Sequence, residues 1–357
     1  MRDEAVNIRT NQNPSLWRTG GPMRSTLTDV AREAGVSAAT VDRVLNNRPG
    51  VRERTRVIVV ETARRLGYLP DGIASAIATV RLDFVLPEGT NSFIRTLRAQ
   101  VEAQAIARPG LDVRVHAIEG FNPDTLATTL RALRGETDGV GLIALDHPAV
   151  REAMRALADD GTPVVTLATD VLHVPRTAYV GIDNRQAGRL AGYVLGRLLG
   201  RGSAKVALFA GSLSYRGHQE REMGFRAVLA EEFPHLAIVE LREVLDDRAR
   251  AYAEASALLD RHPDLAGLYN IGAGNPGIAR ALHERGRARS VVFLGHELTE
   301  GSKPLLLDGT LDGVIDQNPR VEAREALNLL AHAVRRLPYE GHPVRLHLVL
   351  KENIPEA

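Results

Sequence analysis

The period of the hydrophobic positions changes once along the chain, near Leu82. Before that point apolar residues recur at helical spacing in short segments. Leu27, Val30, Ala31 and Ala34 share one face of a first segment, and Val41, Val44 and Leu45 share one face of a second. Thr26 with Asp29 three residues on reads as a capping box. Gly35 supplies the left-handed residue that ends the first helix, and Ser37 caps the second. A third helix is predicted from about Arg52 to Leu66, stopped by Gly67. Two helices joined by a short turn containing Gly make a helix-turn-helix, whose second helix can enter the DNA major groove. A plain helical hairpin would show the same pattern.

From Leu82 short apolar strands alternate with amphipathic helices. The strands read LDFVLP, LDVRVHAI, GVGLIAL, PVVTLAT, KVALFAG, AIVELREV, LAGLYNI and SVVFLGH. Such alternation predicts parallel sheets covered by helices on both faces, in two lobes. In sheets of this kind ligands sit beyond the carboxyl ends of the strands. The residues just after each strand are therefore the candidate site. They include Asn91 and Phe93, Asp146, Tyr215 with Arg221, Asn270 with Asn275, Glu297, and Gln317. Carboxylates, amides, an Arg and aromatic faces converging on one cleft suit a hydroxyl-rich ligand.

Composition changes this picture little. At 357 residues the chain should hold more than one domain, and a net charge of +1 gives no global basic field. Residues 24 to 80 hold nine Arg against six acids, a local excess that fits a small DNA module aided by dimerisation. There is no cysteine, which excludes disulfides and thiolate chemistry. No apolar run reaches the length of a membrane span, and the acidic N-terminus is no secretory signal. A cytoplasmic protein is expected. Residues 1–22 are polar, with scattered Pro and Gly. They read as a disordered tail, or as lying upstream of a true start at Met23.

Residues 26–68 resemble the DNA-binding headpiece of the lactose-repressor (LacI/GalR) family of bacterial regulators. The resemblance rests on Asp29-Val30-Ala31, Ala34-Gly35-Val36-Ser37, Thr40-Val41-Asp42-Arg43-Val44-Leu45-Asn46, Thr55-Arg56 and Leu66-Gly67-Tyr68. It implies a helix-turn-helix domain over 23–70 and a hinge helix or linker over 71–80. It also implies DNA contacts from Thr28, Ser37, Ala38, Ala39, Thr40, Arg43 and Asn46, with Ile77 as an apolar wedge for the minor groove. Asp42 departs from the pattern, since the family usually carries Ser there. An acid at that place repels phosphate unless Arg43 or Arg32 pairs with it.

Residues 82–355 are similar to the effector domains of the same family and to periplasmic ribose-type binding proteins, a type I two-lobe fold. Arg221-Glu222-Met223-Gly224-Phe225 looks like the family's R-x-x-G-F, whose Arg binds sugar. Asn91-Ser92-Phe93, Gln317 and the closing Glu352-Asn353-Ile354-Pro355 also match family positions. The resemblance implies a two-lobe domain over 81–357, with crossovers near 182–186, 295–298 and 316–320. It further implies a sugar or polyol effector, a pseudo-palindromic double-stranded operator and a homodimer or tetramer, with no enzyme activity, cofactor, metal or membrane. Two loops depart from it. Asn270-Ile271 stands where Asn-Asp is usual, and Gly295-His296-Glu297 stands for G-x-D-D.

Two rival readings remain at this point. Gly272-Ala273-Gly274-Asn275-Pro276-Gly277 is a literal G-x-G-x-x-G after a strand, with Glu297 about twenty residues on, the fingerprint of an NAD-linked oxidoreductase. Against it, the motif sits late in the strand series. A solute-binding protein for transport would share the two-lobe fold, but the headpiece and the lack of an export signal argue against one.

Overall fold

The computed structural model describes residues 25–45, 48, 50–68 and 79–355. The chain divides into two compact units between residues 78 and 79, and each is described by itself.

The first unit is helical. Helix α1 (Leu27–Glu33) begins with the expected capping box. Asp29 N donates to Thr26 Oγ1 at 3.3 Å, and Asp29 Oδ2 accepts from Thr26 N at 2.9 Å. Gly35 turns the chain at φ +65°, where a side chain would be strained. Ser37 caps α2 (Ala38–Leu45), its Oγ accepting from Thr40 N at 3.1 Å. Helix α3 (Glu53–Arg65) closes the unit. Val30, Ala31, Val41, Val44, Val59 and Ala63 form its core. Arg56 stitches α3 to the end of α2, donating to the carbonyls of Val44 at 3.2 Å and Arg48 at 3.1 Å.

The second unit has two sheets. The first runs β2-β1-β3-β4-β5, all parallel, from β1 (Val80–Pro87), β2 (Leu111–Ile118), β3 (Gly139–Leu142), β4 (Val164–Leu167) and β5 (Ala178–Val180). Strands β3 and β4 are buried along their whole length, which explains their uninterrupted apolar runs. Helices α4 (Ser92–Ile106), α5 (Pro123–Ala132) and α6 (Pro148–Asp159) contribute to its core, and so does α12 (Pro319–Val334), through Ala323, Ala326, Leu327 and Leu330.

The second sheet runs β11-β10-β9-β8-β6-β7. Its strands are β6 (Ala204–Ala210), β7 (Leu236–Glu243), β8 (Leu265–Asn270), β9 (Val292–His296), β10 (Gly313–Asp316) and β11 (His347–Val349). All pairings are parallel except the last: the three-residue β11 is antiparallel to β10 and departs from the expected pattern. Helices α7 (Asn184–Leu199), α8 (Arg216–Glu232), α9 (Arg248–Arg261), α10 (Asn275–Glu284) and α11 (Lys303–Leu307) belong to this lobe.

The chain passes between the lobes three times. It crosses after β5, between Val180 and Asn184, and again after β10, between Asp316 and Pro319. It returns from α12 to β11 across residues 335–346. The crossover expected near 295–298 is not one. The run after Glu297 supplies another helix and strand, α11 and β10, to the same lobe, and buries Leu306 and Leu311 in that lobe's core.

Candidate functional site

The loops at the carboxyl ends of both sheets face one cleft holding about 860 Å³ of empty space, counted out to its open mouth. Seven of the nine expected residues line it: Asn91, Phe93, Tyr215, Arg221, Asn275, Glu297 and Gln317. Asp146 does not. It forms an ion pair with Arg151, five residues on in the first turn of α6, which satisfies the carboxylate locally. Asn270 also lies behind the wall, fully buried, with Nδ2 donating to Ala273 O at 3.1 Å and Asn275 Oδ1 at 2.7 Å.

Arg221 is held from two sides. Its Nε donates to Asn184 Oδ1 at 2.7 Å and its Nη1 to Ile271 O at 2.9 Å, and the residue is only 4% exposed. Glycines make this placement feasible. A Cβ on Gly188 would lie 1.9 Å from Arg221 O, and one on Gly224 would lie 2.1 Å from Arg185 O. Backbone meets backbone where α7 crosses α8, so the Gly of the R-x-x-G-F run serves close packing.

Glu297 follows β9 in the left-handed region, at φ +66°. Its amide donates to Ile315 O at 3.0 Å, and its carbonyl accepts from Ser302 Oγ at 2.6 Å. Strain of this kind persists where surroundings hold it and is common at functional sites. Its Oε1 accepts from Gln317 Nε2 at 2.5 Å. Burial, reinforced by the negative Asp316, pushes the Glu297 carboxyl up to about 8. Glu322, in the first turn of α12, is fully buried, and burial with the nearby Glu297 pushes it up as well. His218 and His296 are both held neutral by burial, with His218 brought down to about 4. His296 Nε2 lies 2.7 Å from Tyr269 Oη.

Two expected ligand residues have their polar atoms engaged by the protein. Asn91 Oδ1 caps α4 at Phe93 N, 3.0 Å away, and its Nδ2 donates to Asp246 Oδ2 at 2.9 Å. Asn275 Oδ1 accepts from Asn270, and its Nδ2 donates to His296 O at 3.1 Å. Both position the wall.

Asp246 was missed by sequence reasoning and is central. It lines the cleft, lies 7% exposed, and follows Leu245 with both residues at positive φ. Its Oδ1 accepts from Ala273 N at 2.8 Å, and its backbone carbonyl accepts from Thr90 Oγ1 at 2.9 Å. It thus joins the loop after β1 to the loops after β7 and β8. The signal was available, since Asp246 follows β7 as directly as the chosen residues follow their strands. Thr90, Thr169, His218 and Arg248 also line the cleft.

The G-x-G-x-x-G loop does not cradle a pyrophosphate here. Ala273 N already serves the Asp246 carboxylate, and a Cβ on Gly272 would lie 2.6 Å from Asp246 Oδ1. A Cβ on Gly277 would lie 2.2 Å from Arg248 O. These glycines allow close packing within the protein, and a carboxylate sits where phosphate would need free amides. Among the described residues, no group of His, Asp and Glu could hold a metal ion, and no helix is long and apolar enough to cross a membrane.

In the headpiece Thr28, Ser37, Ala38, Ala39 and Arg43 are exposed, and Thr40 is half-buried. Ser37 Oγ lies 2.8 Å from Thr40 Oγ1. Asp42 pairs with Arg48 at 3.1 Å, whereas Arg32 pairs with Asp29. Asn46, Ile77 and most of the expected hinge fall outside the described residues.

Comparisons with known proteins agree with both units. Residues 77–336 match the model of the periplasmic binding protein domain, and residues 26–71 that of the bacterial regulatory proteins of the lacI family. The HTH-type transcriptional regulator pepR1 of Lactobacillus delbrueckii subsp. lactis is 34% identical over 52% of this chain and 55% of its own length. Catabolite control protein A of Priestia megaterium is 31% identical over 58% of this chain and 62% of its own. The chain thus spans little more than half the length of these two relatives. The structure of GanP, a glucose-galactose binding protein from Geobacillus stearothermophilus, superposes with a TM-score of 0.71 at 26% identity, covering 78% of this chain and 99% of that one. The chain therefore belongs, over residues 77–336, to the family of the periplasmic binding protein domain, and carries ahead of it, at residues 26–71, a helix-turn-helix region that matches the lacI family of bacterial regulatory proteins.

Proposed function

We propose that the protein is a cytoplasmic transcription regulator, a repressor, whose affinity for a double-stranded operator is set by a small hydroxyl-rich effector bound between the lobes. The observation that carries this reading is the cleft. Arg221, Glu297 and Gln317 converge there, buried and held in place, on a domain whose chain also bears a helix-turn-helix. The names of the relatives support regulation, and the name of the glucose-galactose binding protein supports a sugar or polyol ligand. The protein acts by binding rather than catalysis.

The second helix reads the major groove. Ala38 and Ala39 offer methyl contact, for example to thymine, and Arg43 supplies hydrogen bonds, bidentate to guanine. A homodimer places two such helices on a pseudo-palindrome. Effector binding changes how the lobes meet, and operator affinity follows through a coupling free energy of about 1–3 kcal/mol. Three crossing segments between the lobes suit such a motion.

The test is fluorescence anisotropy with DNA from upstream of the protein's own gene, at two salt concentrations, with and without pooled sugars and polyols. Specific, salt-dependent binding that a pool member alters is the expected result. Absence of specific binding, with NAD(H) instead stabilising the fold, would return weight to an oxidoreductase.

A further inference from the structure

One wall of the cleft carries buried polar oxygens without a hydrogen-bond partner in the protein. Glu297 and Gln317 both line the cleft, 8% and 2% exposed, and they bond each other through one atom apiece. The other atoms, Glu297 Oε2 and Gln317 Oε1, are buried without a partner. Behind them neither carboxyl oxygen of Glu322 has a partner. Buried polar atoms in native proteins are nearly always paired, so a row of orphaned oxygens beside a ligand cleft indicates what the ligand brings.

Buried carboxyl groups outnumber buried cationic groups at the same place. Asp246, Glu297 and Glu322 are set against one buried guanidinium, Arg221, which is already engaged by Asn184 and Ile271. We propose that the effector carries a protonated amine, seated against Glu297 and Gln317, on a small hydroxylated frame such as an amino sugar or amino polyol. This deepens the effector reading above and rests on it.

A ligand hydroxyl has one proton to donate, whereas an ammonium has three and a charge. Bonds to a charged partner are roughly twice as strong as neutral ones. Glu297 is faced by Asp316, Glu322, Arg221 and Gln317, and the repulsion from Asp316 outweighs the attraction of Arg221. Burial first, and then this repulsion, keep the proton on Glu297 in the free protein at neutral pH. A seated ammonium reverses that balance. Glu297 gives its proton to solvent, and the carboxylate pairs with the cation.

The experiment compares amine and hydroxyl partners on the full chain by calorimetry and thermal shift at neutral pH. The pairs are D-glucosamine with D-glucose, D-galactosamine with D-galactose, and glucamine with sorbitol. At least one amine is expected to bind about tenfold more tightly than its hydroxyl partner, the ratio one charge-assisted bond supplies. N-acetylation of that amine should abolish the preference, and Glu297→Gln should bring the ratio toward one. Proton release should appear as a dependence of the binding heat on buffer ionisation enthalpy. Hydroxyl partners that bind as tightly as the amines, or a panel in which no amine binds, would overturn the proposal. A neutral sugar that binds at least as tightly as every amine of the panel and alters operator affinity would do so while leaving the regulator reading intact. Failure of DNA binding alone would strike that reading and leave amine affinity measurable.

Discussion

Glu297→Gln should make the second unit more stable, and the gain should grow with pH. Glu297 has an ordinary value of 4.5 and a folded value of about 8, raised first by burial and then by Asp316. Between those two values the folded chain holds a proton that the unfolded chain has released. Stability then falls as pH rises, by about 1.4 kcal/mol for each unit. The contribution is fully present below pH 4.5 and is lost by the time pH passes through about 8. Across the whole window this comes to roughly 5 kcal/mol, a sizeable part of a typical folding free energy of about 5–15 kcal/mol. Gln keeps the shape and removes the titration. Its amide can bond Gln317, so no new cavity opens. Urea denaturation of the wild type and the variant, followed by circular dichroism across this range, isolates the effect as the difference between the two curves. That difference should be near its minimum at the acid end and widen steadily to about pH 8. Parallel curves would show that Glu297 is ionised in the folded protein at neutral pH and would refute the reasoning. Glu322 shifts in the same direction, so the wild type should keep some negative slope even when the Glu297 share is removed.

Three further outcomes are expected. Gly188→Ala places a Cβ 1.9 Å from Arg221 O; forcing α7 from α8 should cost about 1–3 kcal/mol and weaken effector binding as Arg221 shifts, so an unchanged melting temperature and an unchanged effector titration would contradict the crossing geometry. Arg43→Ala should lose about 1–3 kcal/mol of operator affinity and relax one base position, read by anisotropy on single-substitution operators; unchanged selectivity would remove Arg43 from base readout. Asp42→Ser removes an acid from the recognition helix and frees Arg48, which it pairs in an exposed bridge; DNA binding should tighten, and weaker binding would mean the Asp42 pair is needed to place the helix.

Local rules were enough for much of this fold. The capping box at Thr26 and Asp29 depends on residues three apart. The parallel core strands follow from runs such as Val164–Leu167, buried on both faces. What stayed hidden depends on distant partners. Asp246 meets Asn91 across 155 positions, and its positive φ leaves no mark on residue type. Asn91 and Asn275 have residue types that suit a ligand, yet their neighbours engage both ends of each amide. Asp146 is the opposite case: its residue type suits a ligand, yet Arg151, only five residues on, pairs with it. The return crossing was misplaced because residues 297–316 show the same alternation as the rest of their lobe, and a strand–helix rhythm carries no information about which sheet a strand joins.

The departure at Gly295-His296-Glu297 ties these points together. If the position wanted only a carboxylate, its place in the left-handed region would be an unrewarded cost of about 1–3 kcal/mol. Ser302 and Ile315 hold that backbone in place, and His296 Nε2 is engaged by Tyr269 Oη. The longer Glu side chain then reaches Gln317 while its second oxygen remains unpartnered beside Glu322. With its carboxyls kept protonated in the free protein, this wall offers neutral hydroxyls only neutral hydrogen bonds. It is better arranged for a ligand whose charge lets Glu297 ionise on binding. Coupling of this kind would make effector affinity rise with pH, in the window in which the free domain loses stability, for as long as the ligand amine keeps its proton.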